Sequence, residues 1–263
     1  MQNLLAHFVF KHPSSKEWIT FIHGAGGSSR IWYKQLDFFK ERFNVLMVDL
    51  RGHGESAYDS TIKRSDYTFD EITNDVVNVL DELKIQSSHF AGISLGTIIS
   101  RHLAEKNPTR VKSLILAGAI LKFDIKAKLL IKFAALTKNI LPFMFLYKIL
   151  AFIILPRKNH RKSRYVFIRE AKKICQTEFL RWFKLNIEVH KLLRLHRNTE
   201  NTIPFLYLMG DQDYLFLKGV KETLKKTSNN QLIVVPNCGH VVNIEKAEAF
   251  NLAAEQFIHK NSD

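Results

Sequence analysis

Cysteine is scarce. Cys175 and Cys238 are the only two in 263 residues, too few for a disulfide framework or a cysteine-rich zinc site. No apolar run is long enough to span a bilayer. The greasiest stretch, 140–155, is broken by Pro142 and Lys148 and falls short of the roughly 20 residues such a helix needs. No basic-then-apolar leader with a small-residue cleavage site opens the sequence, so residence in a reducing cytoplasm is expected. Repeats and low-complexity tracts are missing, as is any recognisable nucleic-acid-binding module. The glycine-rich stretch after Ile22 lacks the Gly-Lys-Ser/Thr ending of a phosphate loop. Acidic side chains are outnumbered, 25 against 39 Lys and Arg, for a net charge of +14. The length suits one α/β domain carrying an insertion.

What is present is a series of turn motifs, each following a strand-like run. Gly92-Ile93-Ser94-Leu95-Gly96 follows the run 88–93 and opens a helical pattern over 95–105. A serine on so cramped a turn, with glycines two residues to either side, reads as a nucleophile elbow. Taken alone, Ser94 reads equally well as a helix N-cap. His23-Gly24-Ala25-Gly26-Gly27-Ser28 follows the run 18–22, and such a turn leaves backbone N–H groups free to face an anion. Asp49-Leu50-Arg51-Gly52-His53-Gly54-Glu55-Ser56 follows 43–48. It reads as a loop fixed by local hydrogen bonds rather than as a metal or catalytic group. Gly210-Asp211-Gln212-Asp213 follows 204–209, and Asn237-Cys238-Gly239-His240 follows 232–236. An acid and a histidine thus lie just beyond the carboxyl ends of strands, where open parallel sheets bind ligands. Nucleophile, acid and base come in the order Ser, Asp, His. Cys238 reads as packing.

In this order the segments resemble the α/β-hydrolase superfamily over nearly the whole chain. The resemblance implies an α/β fold: a mostly parallel central sheet with helices on both faces. Residues 1–120 and 201–263 form the core, and 121–200 a helical lid. It implies Ser94 as nucleophile and His240 as base. The last residue of Gly-x-x-Asp carries the acid in that family, which favours Asp213 over Asp211. Asp124, just past the run 114–119, is a third candidate because some relatives place the acid there. The N–H groups of Ala25, the position after His-Gly, and of Leu95 would form the oxyanion hole. There are two departures: Thr97 stands where many relatives have glycine, and one N-terminal strand (about 6–10) replaces the usual hairpin. A serine at the elbow excludes the relatives that open epoxides or displace halide with an aspartate. The expectation is cleavage of an ester or thioester through an acyl-enzyme, without metal or cofactor. Carbon–carbon hydrolysis, cofactor-free perhydrolysis and a non-catalytic binder on the same fold stay open.

The insertion carries the charge. Residues 122–200 hold 19 Lys and Arg against 5 Asp and Glu, which leaves 20 of each elsewhere. The apolar stretch 140–155 runs straight into Arg157-Lys158-Asn159-His160-Arg161-Lys162-Ser163-Arg164. That combination suits peripheral contact with an anionic membrane. It equally suits a lid that roofs an acyl pocket and solvates its basic face. Both readings imply a lipophilic pocket, with Phe123, Phe143 and Trp182 as its wall and Phe133, Phe145 and Phe152 as further candidates. The expected substrate is a small lipophilic ester such as a lysophospholipid or monoacylglycerol; oligomeric state is left open. Helical spacing groups Phe167, Ile168, Ala171, Ile174 and Cys175 on one face. Trp182, Leu185, Val189, Leu192 and Leu193 fall on a second helix, and 244–258 forms a closing one.

Overall fold

Short runs rich in Val, Ile, Leu and Phe alternate with amphipathic stretches, the pattern that builds a parallel sheet covered by helices. The structure, a computed structural model, describes residues 4–57, 67–138, 140–198, 202–224 and 230–262. In chain order the elements are β1 (His7–Phe10), β2 (Trp18–Ile22), α1 (Tyr33–Phe39), β3 (Asn44–Val48), α2 (Phe69–Glu82), β4 (Ser88–Ile93), α3 (Leu95–Lys106) and β5 (Val111–Ala117). Five helices follow: α4 (Ile125–Thr137), α5 (Phe143–Ile154), α6 (Arg161–Ala171), α7 (Gln176–Lys184) and α8 (Asn186–Asn198). The chain then returns through β6 (Phe205–Gly210), α9 (Leu217–Leu224), β7 (Asn230–Val235), α10 (Val242–Glu245) and α11 (Ala247–Lys260).

The seven strands order as β1-β3-β2-β4-β5-β6-β7. β1 runs antiparallel to β3, and every other pairing is parallel. Strands buried on both faces still divide their side chains by twos. Val45 and Met47 of β3, with Leu206 and Leu208 of β6, join Phe39, Phe250 and Ile258 of α1 and α11 on one side. Leu46 and Val48, with Tyr207 and Met209, join Phe69, Ile99 and Val189 of α2, α3 and α8 on the other. The fold is the expected α/β arrangement. All the turns that carry motifs lie at the carboxyl edge of the parallel strands.

Between β5 and β6 the described residues form helices and no strand. The expected boundary at 200/201 falls on 199–201, outside the described residues. Among those described, no helix is long and apolar enough to cross a membrane.

Three helices differ from their sequence patterns. The face assigned through Cys175 stops early, because α6 ends at Ala171 and Cys175 is an exposed residue capping α7. Trp182 to Leu193 spans a break rather than one helix. Trp182 is held by the Arg51 carbonyl, while α8 packs on α3, so the chain turns at Leu185 between two anchor surfaces. The closing segment is likewise two helices, divided at Lys246, whose φ of −134° and ψ of 57° are not helical.

Candidate active site

β4 delivers Ser94 into the turn before α3 with φ 53° and ψ −118°, a conformation L-residues rarely adopt. The neighbouring glycines make the turn feasible. A Cβ at Gly96 would collide with the Ile22 carbonyl of β2, and one at Gly92 would stand 2.6 Å from the Gly96 carbonyl oxygen. Ser94 N–H donates to the Ala117 carbonyl at 3.0 Å, tying the elbow to the end of β5. Thr97 is accommodated at the helix start because its hydroxyl donates to the Ser94 carbonyl at 2.6 Å.

The loop after β2 is fixed by two buried histidines. His23 Nδ1 donates to the Gly24 carbonyl at 2.8 Å, so its Nε2 accepts from Leu50 N–H at 3.0 Å. His53 repeats the arrangement: Nδ1 donates to the Arg51 carbonyl at 3.1 Å, and Nε2 accepts from Gly26 N–H at 3.0 Å. Both roles require the neutral ring. Burial pushes the His23 imidazole down to about 4 and His53 to about 3, the latter helped by His23 beside it. Asp49 accepts from Ser29 N–H at 2.6 Å and from Glu55 N–H at 2.8 Å. The Asp49–Ser56 segment is therefore the hydrogen-bonded loop its sequence suggested, and it holds Ala25 at the edge of a cavity.

At the far side, His240 Nδ1 donates to Asp213 Oδ2 at 2.8 Å, with both side chains buried. The ring lies against Gly118, whose φ of 51° and absent Cβ leave room for it, and its centroid is 5.0 Å from that of Phe216. His240 Nε2 is buried and has no hydrogen-bond partner. Of the other acid candidates, Asp211 accepts from Cys238 N–H at 3.1 Å, and Asp124 caps α4 through Ala127 N–H at 2.8 Å. Neither reaches His240. Cys238 is buried among apolar side chains, and burial pushes its thiol up.

Ser94, Leu95, Ala25 and His240 line one cavity of about 290 Å³, roofed by α4 to α7. Phe123, Phe133 and Trp182 line it too. Phe143 does not: it turns away onto Phe179, with ring centroids 5.7 Å apart. Its N–H is taken by Gln176 Oε1 at 3.0 Å, so α5 begins with that residue aimed at α7. Phe145 and Phe152 are exposed.

Several residues in and around the site carry no sequence signal. Glu170 lines the cavity and accepts from Ser28 Oγ at 2.8 Å and Lys173 Nζ at 2.7 Å. Burial alone would raise its carboxyl, but these partners hold it below the usual range. Tyr147 places its hydroxyl over Gly26, where a side chain would otherwise stand. His160, from the insertion, meets Gln212 Oε1 at 2.8 Å, and Glu245 accepts from Gly239 N–H at 2.7 Å and Ser163 Oγ at 2.8 Å. Insertion, acid loop and histidine loop are thereby stitched together. Only Gly239, beside His240, hints at so close an approach.

A family model described as the alpha/beta hydrolase fold matches residues 17–134. The chain is 28% identical over 250 residues to the dihydrolipoyllysine-residue acetyltransferase component of the acetoin cleaving system of Pseudomonas putida, covering 92% of this chain and 64% of that one. It is 31% identical over 121 residues to 3-oxoadipate enol-lactonase 2 of Acinetobacter baylyi, covering 46% and 44%. The chain thus spans under two thirds of these relatives' lengths. The crystal structure of the enol-lactonase from Burkholderia xenovorans superimposes with a TM-score of 0.77 over 97% of this chain and 96% of that one, at 20% identity. Residues 17–134 thus match the alpha/beta hydrolase fold model, and the fold of the whole chain is that of the solved enol-lactonase.

Proposed function

We propose that the protein is a serine hydrolase that cleaves an ester or thioester of a small lipophilic acyl substrate. The observation that carries this reading is the asymmetry of His240. One nitrogen is held by Asp213, the other is buried without a hydrogen-bond partner, and the ring lines the cavity that Ser94 also lines. With Nδ1 protonated toward Asp213, Nε2 is the acceptor that takes the proton of Ser94 Oγ as that oxygen attacks the acyl carbonyl. The oxyanion forms beside the N–H groups of Ala25 and Leu95, the latter in the unpaired first turn of α3. His240 then returns the proton to the leaving alcohol or thiol. Water repeats the sequence in reverse and frees the acid.

The cavity supports the acyl class. Its walls are almost wholly aliphatic and aromatic, with Phe123, Phe133 and Trp182 among them. Its volume, about 290 Å³, lies at the lower end of ligand sites, roughly 300–1,000 Å³, which favours short and medium chains. Partial sequence similarity to 3-oxoadipate enol-lactonases is in keeping with ester chemistry. Two isolated cysteines suit a reducing compartment, and we place the enzyme in the cytoplasm.

The test is labelling by a fluorophosphonate together with turnover of p-nitrophenyl esters of graded length. Labelling lost in Ser94→Ala, with an optimum at short or medium chains, is expected. An unlabelled, inactive wild-type protein would leave only the binder reading.

A further inference from the structure

We propose that the outward face of α4 docks on an anionic lipid bilayer, so that acyl substrates enter the cavity from the membrane across this one helix. The entry route rests on the hydrolase reading; the docking does not.

α4 is apolar on two opposite sides. Ala127, Leu130, Ile131 and Ala134 line the cavity. Half a turn away at helical spacing, Ile125, Leu129 and Leu136 point to solvent, 76%, 62% and 70% exposed. Ile140, just past the helix, is 80% exposed. Phe133 belongs to both sides, 44% exposed and also part of the cavity wall. A surface helix of a water-soluble domain normally keeps its outer stripe polar. Contiguous apolar side chains there mark a contact surface.

Charge selects the occupant. From Ile125 to Arg169 the sequence holds 11 Lys and Arg and no Asp or Glu. Lys128 and Lys132 are exposed on the same outward stripe as Leu129 and Leu136, and neither has an ion-pair partner among the described residues. Lysines framing exposed leucines are suited to a surface with an apolar interior and anionic headgroups: the stems follow the leucines inward and the ammonium groups stay at the headgroups. A nucleic acid would use the lysines and leave the leucines in water. No helix among those described is long enough to span, so the contact lies in the interface plane. Because α4 also walls the cavity, an acyl chain drawn from the bilayer meets the site after crossing a single helix.

Co-sedimentation of the full chain with vesicles tests this. Binding to equal parts phosphatidylcholine and phosphatidylglycerol at low salt is expected, with little binding to phosphatidylcholine alone. The pair Leu129→Ser/Leu136→Ser and the pair Lys128→Gln/Lys132→Gln should each weaken binding on the order of tenfold or more. Both pairs should keep p-nitrophenyl butyrate turnover and fluorophosphonate labelling, since none of the four residues lines the cavity. Absence of wild-type binding to the mixed vesicles overturns the proposal. So does binding that the lysine pair abolishes and the leucine pair leaves intact, the signature of a generic polyanion surface. Vesicle binding by a protein that fluorophosphonate does not label would uphold docking and remove the hydrolase reading.

Discussion

His240 has its two nitrogens in different surroundings, and the proposed chemistry depends on that difference. Asp213→Asn would offer an amide to Nδ1 and favour the wrong tautomer. We expect kcat to fall on the order of 10³–10⁴-fold with the fold intact by circular dichroism. Asp211→Asn keeps an oxygen for Cys238 N–H and should change kcat by less than about tenfold; a larger loss there would move the acid to Asp211. His23 and His53 govern stability instead. Their folded-state values of about 4 and about 3 lie below the roughly 6.5 of an unfolded chain. As pH drops, the unfolded state takes up protons first. Their contribution is complete above about pH 6.5 and is lost as pH falls toward the folded values. Urea midpoints should hold between about pH 8 and 7 and decline by about pH 5. A midpoint unchanged at pH 5 would mean that these rings are not held neutral.

Among the elements, the stitch between the β5–β6 helices and the loops that carry Asp213 and His240 is the most exposed to a single change. His160→Ala would leave Gln212 and Gly239 without their packing partner, loosening the loops that carry Asp213 and His240. The expected result is a lower kcat with KM nearly unchanged, and His160→Gln, whose amide still reaches Gln212, should restore much of the rate. Equal rates in wild type and His160→Ala would show that the loops hold their shape unaided. The elbow is more rigid. Gly96→Ala drives a methyl group into the β2 backbone, and loss of soluble expression is the expected outcome. Elements of this kind were legible in the sequence because their requirements are local: a glycine beside Ser94 reports a crowded backbone, and Val-Leu-Met-Val reports a buried strand. The break at Leu185 and the turn of Phe143 toward Phe179 were not legible. Periodicity records which side chains are apolar, and several apolar surfaces compete for them.

For the whole molecule, the insertion and the sheet are not independent. Ala127, Leu185, Val189 and Leu193 belong to the same buried cluster as Leu46, Phe90 and Tyr207. Calorimetry should therefore show one cooperative transition; two resolved transitions would mean that the insertion melts alone. The sequence by itself determined the chain order of the Ser94 elbow, the Gly-x-x-Asp turn and the Gly-His turn, the strands that present them and the concentration of positive charge between β5 and β6, since each depends on residues near one another along the chain. Which aspartate meets His240, which aromatic rings wall the cavity and that α4 turns apolar side chains both inward and outward were decided only by the tertiary structure. Those outcomes depend on where helices distant in sequence come to rest against the sheet edge, and pairwise distance across the fold is not written in any local pattern.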